Sequence, residues 1–259
     1  MRARRSSGED AWLEPGAGAA LIDPVVRDVE ARSMTSPKST PAPATADAAL
    51  ANNRRTVQAY EGYARRYAAA VSPEPSGIGA EGLQRLAAAI RDGGAASAPA
   101  RGTPFGARVL EVGSGPGWDA DALEALGVSV RRTDVTQAFR EFQAERGRQI
   151  EALDLLTDNL GGPYDGVMAL CVLLHVEREL VEGILARVSG ALRPGGSFLV
   201  SLRLGEGELW ETGESGAYRV VLWDEAAFLR GLAAAGFEVV WQARALDGDG
   251  DWLTVLARR

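Results

Sequence analysis

At 259 residues and 46% hydrophobic content, the chain is long enough for one large core plus a tail, and global disorder is excluded. A formal charge of -7 and a pI near 5.0 argue against nucleic-acid or anionic-membrane partners, which require a basic surface. The single cysteine, Cys171, leaves no internal disulfide and no cysteine-based zinc site, which fits a reducing cytoplasm.

Residues 1–46 read as a disordered tail. SMTSPKSTPAPATADA at 33–48 is rich in Pro, Ser, Thr and Ala, and MRARRSSGEDAW has no apolar stretch behind it that would make a secretory signal. A helix is expected over 47–70 with Asp47 as its cap, broken by SPEPSG, and a second over 80–92 closed by Gly93-Gly94. With the loop at 95–106, these helices read as an amino-terminal helical lid over 47–106.

Strand–helix alternation then fills 107–259. Strands are expected at 107–112, 128–134, 148–154, 164–172 and 197–204, with helices at 118–127, 136–147, 177–192 and 224–236. RPGG at 193–196 reads as a turn, and Asp224 as a helix cap. FEVVWQARAL and WLTVLARR flank DGDGD, the signature of a closing antiparallel hairpin. The fold class is therefore α/β, a Rossmann-like doubly wound sheet, mostly parallel, with an antiparallel carboxy-terminal hairpin strand. The longest apolar run, VMALCVLLHV at 167–176, is about half of what a membrane span needs.

The first strand–loop–helix reads VLEVGSGPGWD at 109–119. In an open α/β sheet a ligand lies beyond the carboxyl ends of the strands, so this loop is the natural site. A dinucleotide fingerprint spaces its glycines G-x-G-x-x-G; here they are Gly113, Gly115 and Gly117, and Trp118 stands where the third should fall. The lysine of a phosphate-cradling loop is missing, and Glu111 would repel a pyrophosphate. A nucleoside without phosphates that carries a cationic group fits better.

The pattern E-x-G-x-G-x-G resembles motif I of the class I S-adenosylmethionine-dependent methyltransferases, and the resemblance extends over about residues 50–259. It implies S-adenosyl-L-methionine as cofactor, with Glu111, Gly113, Ser114, Gly115 and Gly117 forming the loop against its methionine portion. Asp134 then sits where the family binds the ribose hydroxyls, and Asp154-Leu155 where it contacts adenine. LCVLLHV, with Leu170 and His175, and LRPGGSFLVS match later family motifs. YEGYARRY at 60–67 looks like the helix that lids the cofactor in many small-molecule methyltransferases; there Tyr67 would cover the cofactor and Tyr60 line the acceptor pocket.

The resemblance implies an enzyme that transfers a methyl group to O or N of a small molecule, as a monomer or homodimer, with specialised metabolism as its setting. Two rivals stay open: a peptide or tRNA methyltransferase, and a protein that binds the cofactor without transferring its methyl. Methyl transfer from a sulfonium is an in-line displacement in which positioning dominates, and a general base matters only when the nucleophile must lose a proton. His175, the sole histidine, is the candidate base, or packs beside the cofactor. Tyr60 and Tyr67 share a helix face, a pattern that core packing explains equally well. Arg203 and Arg219 either clamp an acceptor carboxylate or pair with Glu206, Glu208, Glu211 or Glu214. Trp210 is a candidate pocket wall, Trp223 a core residue and Cys171 a small buried hydrophobe in mid-strand. DGDGD imitates the start of a calcium loop, but Trp252 and Arg258 occupy its glycine and glutamate positions, so no metal site is expected.

Overall fold

The computed structural model describes residues 46–93, 108–247 and 250–259. The expected tail, the 95–106 loop and the tip of DGDGD lie outside these residues. Two helices, α1 (Ala46–Ala70) and α2 (Gly77–Gly93), precede the alternating region. It runs β1 (Val109–Val112), α3 (Trp118–Ala125), β2 (Val130–Asp134), α4 (Gln137–Glu145), β3 (Ile150–Ala152) and β4 (Tyr164–Ala169). A 3-10 turn (Leu173–His175) leads into α5 (Arg178–Ala191) and β5 (Leu192–Arg203). Then come β6 (Glu208–Gly213), β7 (Gly216–Val221), α6 (Glu225–Ala234), β8 (Glu238–Asp247) and β9 (Gly250–Arg258).

Seven strands form one sheet in the order β3-β2-β1-β4-β5-β9-β8. The pairs from β3 to β5 are parallel, and β9 inserts antiparallel to both β5 and β8. Side-chain alternation along each strand sorts the core into two layers. Leu110, Val167, Phe198 and Val255 face α5 and α6, meeting Val181, Ile184, Phe228 and Leu232. Their neighbours Val109, Met168, Leu199 and Leu256 face the other way, against Leu83, Leu86 and Ile90 of α2 and Leu123 of α3. Each fully buried side chain of this size contributes about 1.5–3 kcal/mol, so these two layers supply most of the drive to fold.

Helix α2 therefore covers one face of the sheet, and the lid expected over 47–106 narrows to α1. Asp47 lies in the first turn of α1 rather than at its cap. Asp224 caps α6 as expected, its Oδ1 accepting from the Ala227 amide at 2.7 Å. RPGG does not turn the chain out of the sheet. β5 begins at Leu192 opposite Tyr164 and resumes pairing with Ser197 opposite Gly166, leaving these four residues as a bulge. The segment 203–223 contains a second sheet of two strands, β6 and β7, which sequence periodicity did not resolve. Among the described residues, no helix is long and apolar enough to cross a membrane.

Candidate active site

A cavity of about 810 Å³, counted out to its open mouth, lies beyond the carboxyl ends of β1, β2 and β4. Its wall includes Gly113, Gly115, Asp134, Asp154, Leu155 and Leu170, all singled out in the sequence. Helix α1 contributes Tyr60 and Tyr67, and the turn after β4 contributes His175. Asn53, Thr56, Val57, Phe139, Cys171 and Val172 share the wall but carry no motif that would have marked them.

The loop after β1 is fixed from beneath. The Ser114 hydroxyl donates to the buried Glu111 carboxylate. Gln143 of α4, fully buried, donates from Nε2 to Ser114 Oγ and to the Gly115 carbonyl, both at 2.8 Å. Arg132 donates from Nη1 to the Gly117 carbonyl at 3.1 Å and from Nη2 to Asp121 and Glu124. Sequence reasoning missed Gln143 and Arg132, because neither belongs to the motif they support. Glu111, Ser114 and Gly117 lie behind the cavity wall rather than on it. Burial drives the Glu111 carboxyl up to about 8, against the Ser114 hydrogen bond.

The loop glycines have separate reasons to be glycine. At Gly113, with φ +66°, an added Cβ would stand 2.5 Å from a Val172 methyl. At Gly115, with φ +53°, a Cβ would meet nothing within 4 Å, so its backbone faces the open cavity. The first is glycine for packing, the second leaves room for a ligand.

Asp134 ends β2. Its Oδ2 accepts from the Gly115 amide and its Oδ1 from the Thr136 amide, both at 2.7 Å. Burial raises its pKa, against these two amides. The carboxylate thus ties the β1 loop to the β2 turn while lining the cavity.

His175 is half-buried among aromatics, with the Tyr60 and Tyr218 rings at 5.3 and 5.8 Å. Its Nδ1 lies 2.6 Å from the Arg219 carbonyl, which can only accept, so Nδ1 carries the proton. Burial lowers its pKa to about 4, leaving the ring neutral with Nε2 as acceptor. The Tyr60 hydroxyl therefore donates to Nε2 at 3.0 Å. Thr56 completes the chain, its Oγ1 accepting from the Arg219 amide at 3.0 Å.

Helix α1 closes the cavity from above. Tyr67 packs edge-on against Phe139, centroids 5.6 Å apart. Glu61 accepts from the first amides of α4, and Arg65 pairs with Glu145 at the far end of that helix.

Arg203, Trp210 and Arg219 do not line the cavity. Arg203 pairs with Glu211 at 2.7 Å. Arg219 is buried between Glu177, at 3.1 Å, and Glu208. Trp210, on β6, lies under the Arg55 guanidinium at 4.2 Å. The arginines thus follow the ion-pair alternative, because β6 and β7 place their glutamates within reach. Trp223 is buried against Phe228. Cys171 departs from its expected place in mid-strand: β4 ends at Ala169, and Cys171 stands two residues later at φ +56°, half-buried on the cavity wall.

A family model described as a methyltransferase domain matches residues 61–242. A curated relative, the ubiquinone biosynthesis O-methyltransferase of Idiomarina loihiensis, is 31% identical over 127 residues. That match takes in 46% of this chain and 51% of the relative, so the chain spans about half the length of the curated relative it matches. Two solved structures share the fold. One is the 1,6-didemethyltoxoflavin-N1-methyltransferase of Burkholderia thailandensis, with bound 1,6-didemethyltoxoflavin and S-adenosylhomocysteine. It has a TM-score of 0.57 and 19% identity over 86% of this chain and 94% of that one. The other is the magnesium protoporphyrin IX methyltransferase of Synechocystis PCC 6803, with a TM-score of 0.57 and 14% identity over 83% and 98% of the two chains. With a family match across most of its length and the sheet order described above, the chain belongs to the class I S-adenosylmethionine-dependent methyltransferases.

Proposed function

We propose that this enzyme methylates O or N of a small molecule inside the cavity closed by α1. The observation that carries the reading is a single cavity lined by Gly115 and Asp134 and by the Tyr60–His175 pair. The residues fit the cofactor: Gly115 leaves space where a side chain would intrude, and Asp134 presents a carboxylate held by two amides for the ribose hydroxyls. Asp154, Leu155 and Tyr67 also line the cavity, which supports adenine contacts for the first two and a cover over the methionine portion for Tyr67. Glu111, one layer below, holds the loop through Ser114 and favours the cationic amine. When bound, S-adenosylmethionine supplies a methyl group on a positively charged sulfur.

The chain's own work is positioning, which is worth on the order of 7–11 kcal/mol at best. His175, neutral and oriented by the Arg219 carbonyl, is placed to accept a proton at Nε2, through or beside the Tyr60 hydroxyl. A single cysteine in the chain fits a cytoplasmic setting. Acidic charge favours a small acceptor over tRNA.

Calorimetric titration with S-adenosylmethionine and S-adenosylhomocysteine, followed by a labelled-methyl assay on candidate acceptors, tests this reading. Binding of both with transfer to a small acceptor is expected. Absence of binding overturns the cofactor site; binding without transfer to any acceptor favours a non-catalytic role.

A further inference from the structure

We infer that the acceptor is an uncharged molecule whose nucleophile is a hydroxyl oxygen, so that the product is a methyl ether. This rests on the functional reading above and deepens it. The argument begins from charge. Among the described residues on the cavity wall, the ionisable carboxylates are Asp134 and Asp154, and none is a lysine or arginine. On the functional reading, the acceptor end is the part around the Tyr60–His175 pair, where Asn53, Thr56, Val57 and Cys171 also line the wall. Arg203 and Arg219 lie off the wall and are paired, Arg203 with Glu211 and Arg219 with Glu177 and Glu208. Those same pairs occupy the nearby carboxylates, and Glu211 also accepts from the Tyr218 hydroxyl at 2.6 Å.

Each charged class of acceptor meets an obstacle here. A carboxylate entering this end must shed its water without an arginine fork to replace it, and burying an unpaired charge costs several kcal/mol. An ammonium would meet the cofactor's own positive sulfur. Two like charges about 4 Å apart repel by roughly 4 kcal/mol at an effective dielectric of 20. A hydroxyl carries no charge and needs only somewhere for its proton to go.

The Tyr60–His175–Arg219 chain provides that place. Nδ1–H is fixed on the Arg219 carbonyl, so Nε2 has its lone pair directed at the Tyr60 hydroxyl. As the acceptor oxygen forms its bond to the methyl carbon, the sulfur keeps the electron pair of the broken bond. The hydroxyl proton passes to Tyr60 Oη while the Tyr60 proton moves to Nε2, and the imidazolium is stabilised by the Arg219 carbonyl. The C–O bond forms as the C–S bond breaks, and the two proton shifts leave one net proton on His175.

Three probes of one scaffold separate the possibilities: methyl 4-hydroxybenzoate (neutral), 4-hydroxybenzoate (anion) and 4-hydroxybenzylamine (cation). Each is titrated into the full chain saturated with S-adenosylhomocysteine, with saturation of that product measured first and independently. The neutral probe is expected to bind at least tenfold more tightly than either charged one, and with S-adenosylmethionine to give the aryl methyl ether. Equal affinities, tighter binding of a charged probe, or no binding of the neutral one overturns the inference while leaving the cofactor site intact. Failure of S-adenosylhomocysteine itself to bind overturns the functional reading beneath it.

Discussion

Glu61 of α1 caps α4 from across the cavity: its Oε1 accepts from the Gln137 amide at 2.7 Å, and its Oε2 from Ala138 at 2.8 Å. Thr136, at the capping position itself, makes no side-chain hydrogen bond to these amides. The helix that closes the cavity thus satisfies the orphan donors of the helix that carries Gln143, which holds the Gly115 carbonyl. Replacing Glu61 by Ala should cost about 1 kcal/mol of stability, the usual scale of a lost cap, read by urea unfolding. Affinity for S-adenosylhomocysteine should weaken as α1 detaches; an unchanged unfolding midpoint would show that the cap is inert.

Asp134→Ala removes the carboxylate that ties the two loops together and, on the proposed reading, binds the ribose. Cofactor affinity should fall by roughly 1–3 kcal/mol, the scale for unpairing a buried polar group. Titration calorimetry measures it directly, and an unaltered affinity would place the ribose elsewhere.

On the proposed reading, Glu111 should make cofactor binding pH-dependent. Its pKa in the free protein, about 8, means that it binds a proton at neutral pH, and a bound ammonium favours the ionised form. Binding should therefore release a proton and tighten as pH rises towards 8, by at most tenfold per unit. Above that, the cofactor's own amine, with a pKa of about 7.7–8.0, begins to lose its charge. The folded pKa also exceeds the ordinary 4.5, so the stabilising contribution present in acid is lost as pH rises through about 8. Glu111→Gln should abolish the proton release, detected by calorimetry in buffers of different ionisation enthalpy.

His175 is predicted to be neutral throughout the physiological range. Because its folded pKa, about 4, lies below the ordinary 6.5, the unfolded chain takes up the proton first. The fold should lose stability as pH falls from 6.5 to 4, and a base of this kind should stay competent down to about pH 5. His175→Gln should lower kcat about 10²–10⁴-fold if Nε2 takes the proton, with little change in cofactor affinity. A kcat that survives the change would leave His175 with packing alone.

Gly113→Ala and Gly115→Ala should fail differently. The first drives a Cβ into Val172 at 2.5 Å and should destabilise the fold, with partial rescue by Val172→Ala. The second meets no neighbour, so beyond the roughly 1–2 kcal/mol cost of a left-handed backbone its main loss should be cofactor affinity. Thermal unfolding and ligand titration together distinguish the two.

The strand–helix alternation, the glycine loop and Asp134 were legible because they depend on local signals: apolar runs, period-two alternation and residues adjacent in sequence. Even the closing hairpin announced itself, since DGDGD lies between two apolar strands. Tertiary structure decided what those signals cannot encode. Gln143 and Arg132 support a loop more than ten residues away, and Thr56 and His175 meet through the Arg219 backbone from three separate elements. Whether Arg203 and Arg219 face a ligand or a glutamate depends on how β6 pairs with β7, a register that short, half-buried strands do not reveal. Periodicity fixes which face of an element is apolar; only packing fixes which polar groups that face brings together, and the acceptor end of this cavity is made of such groups.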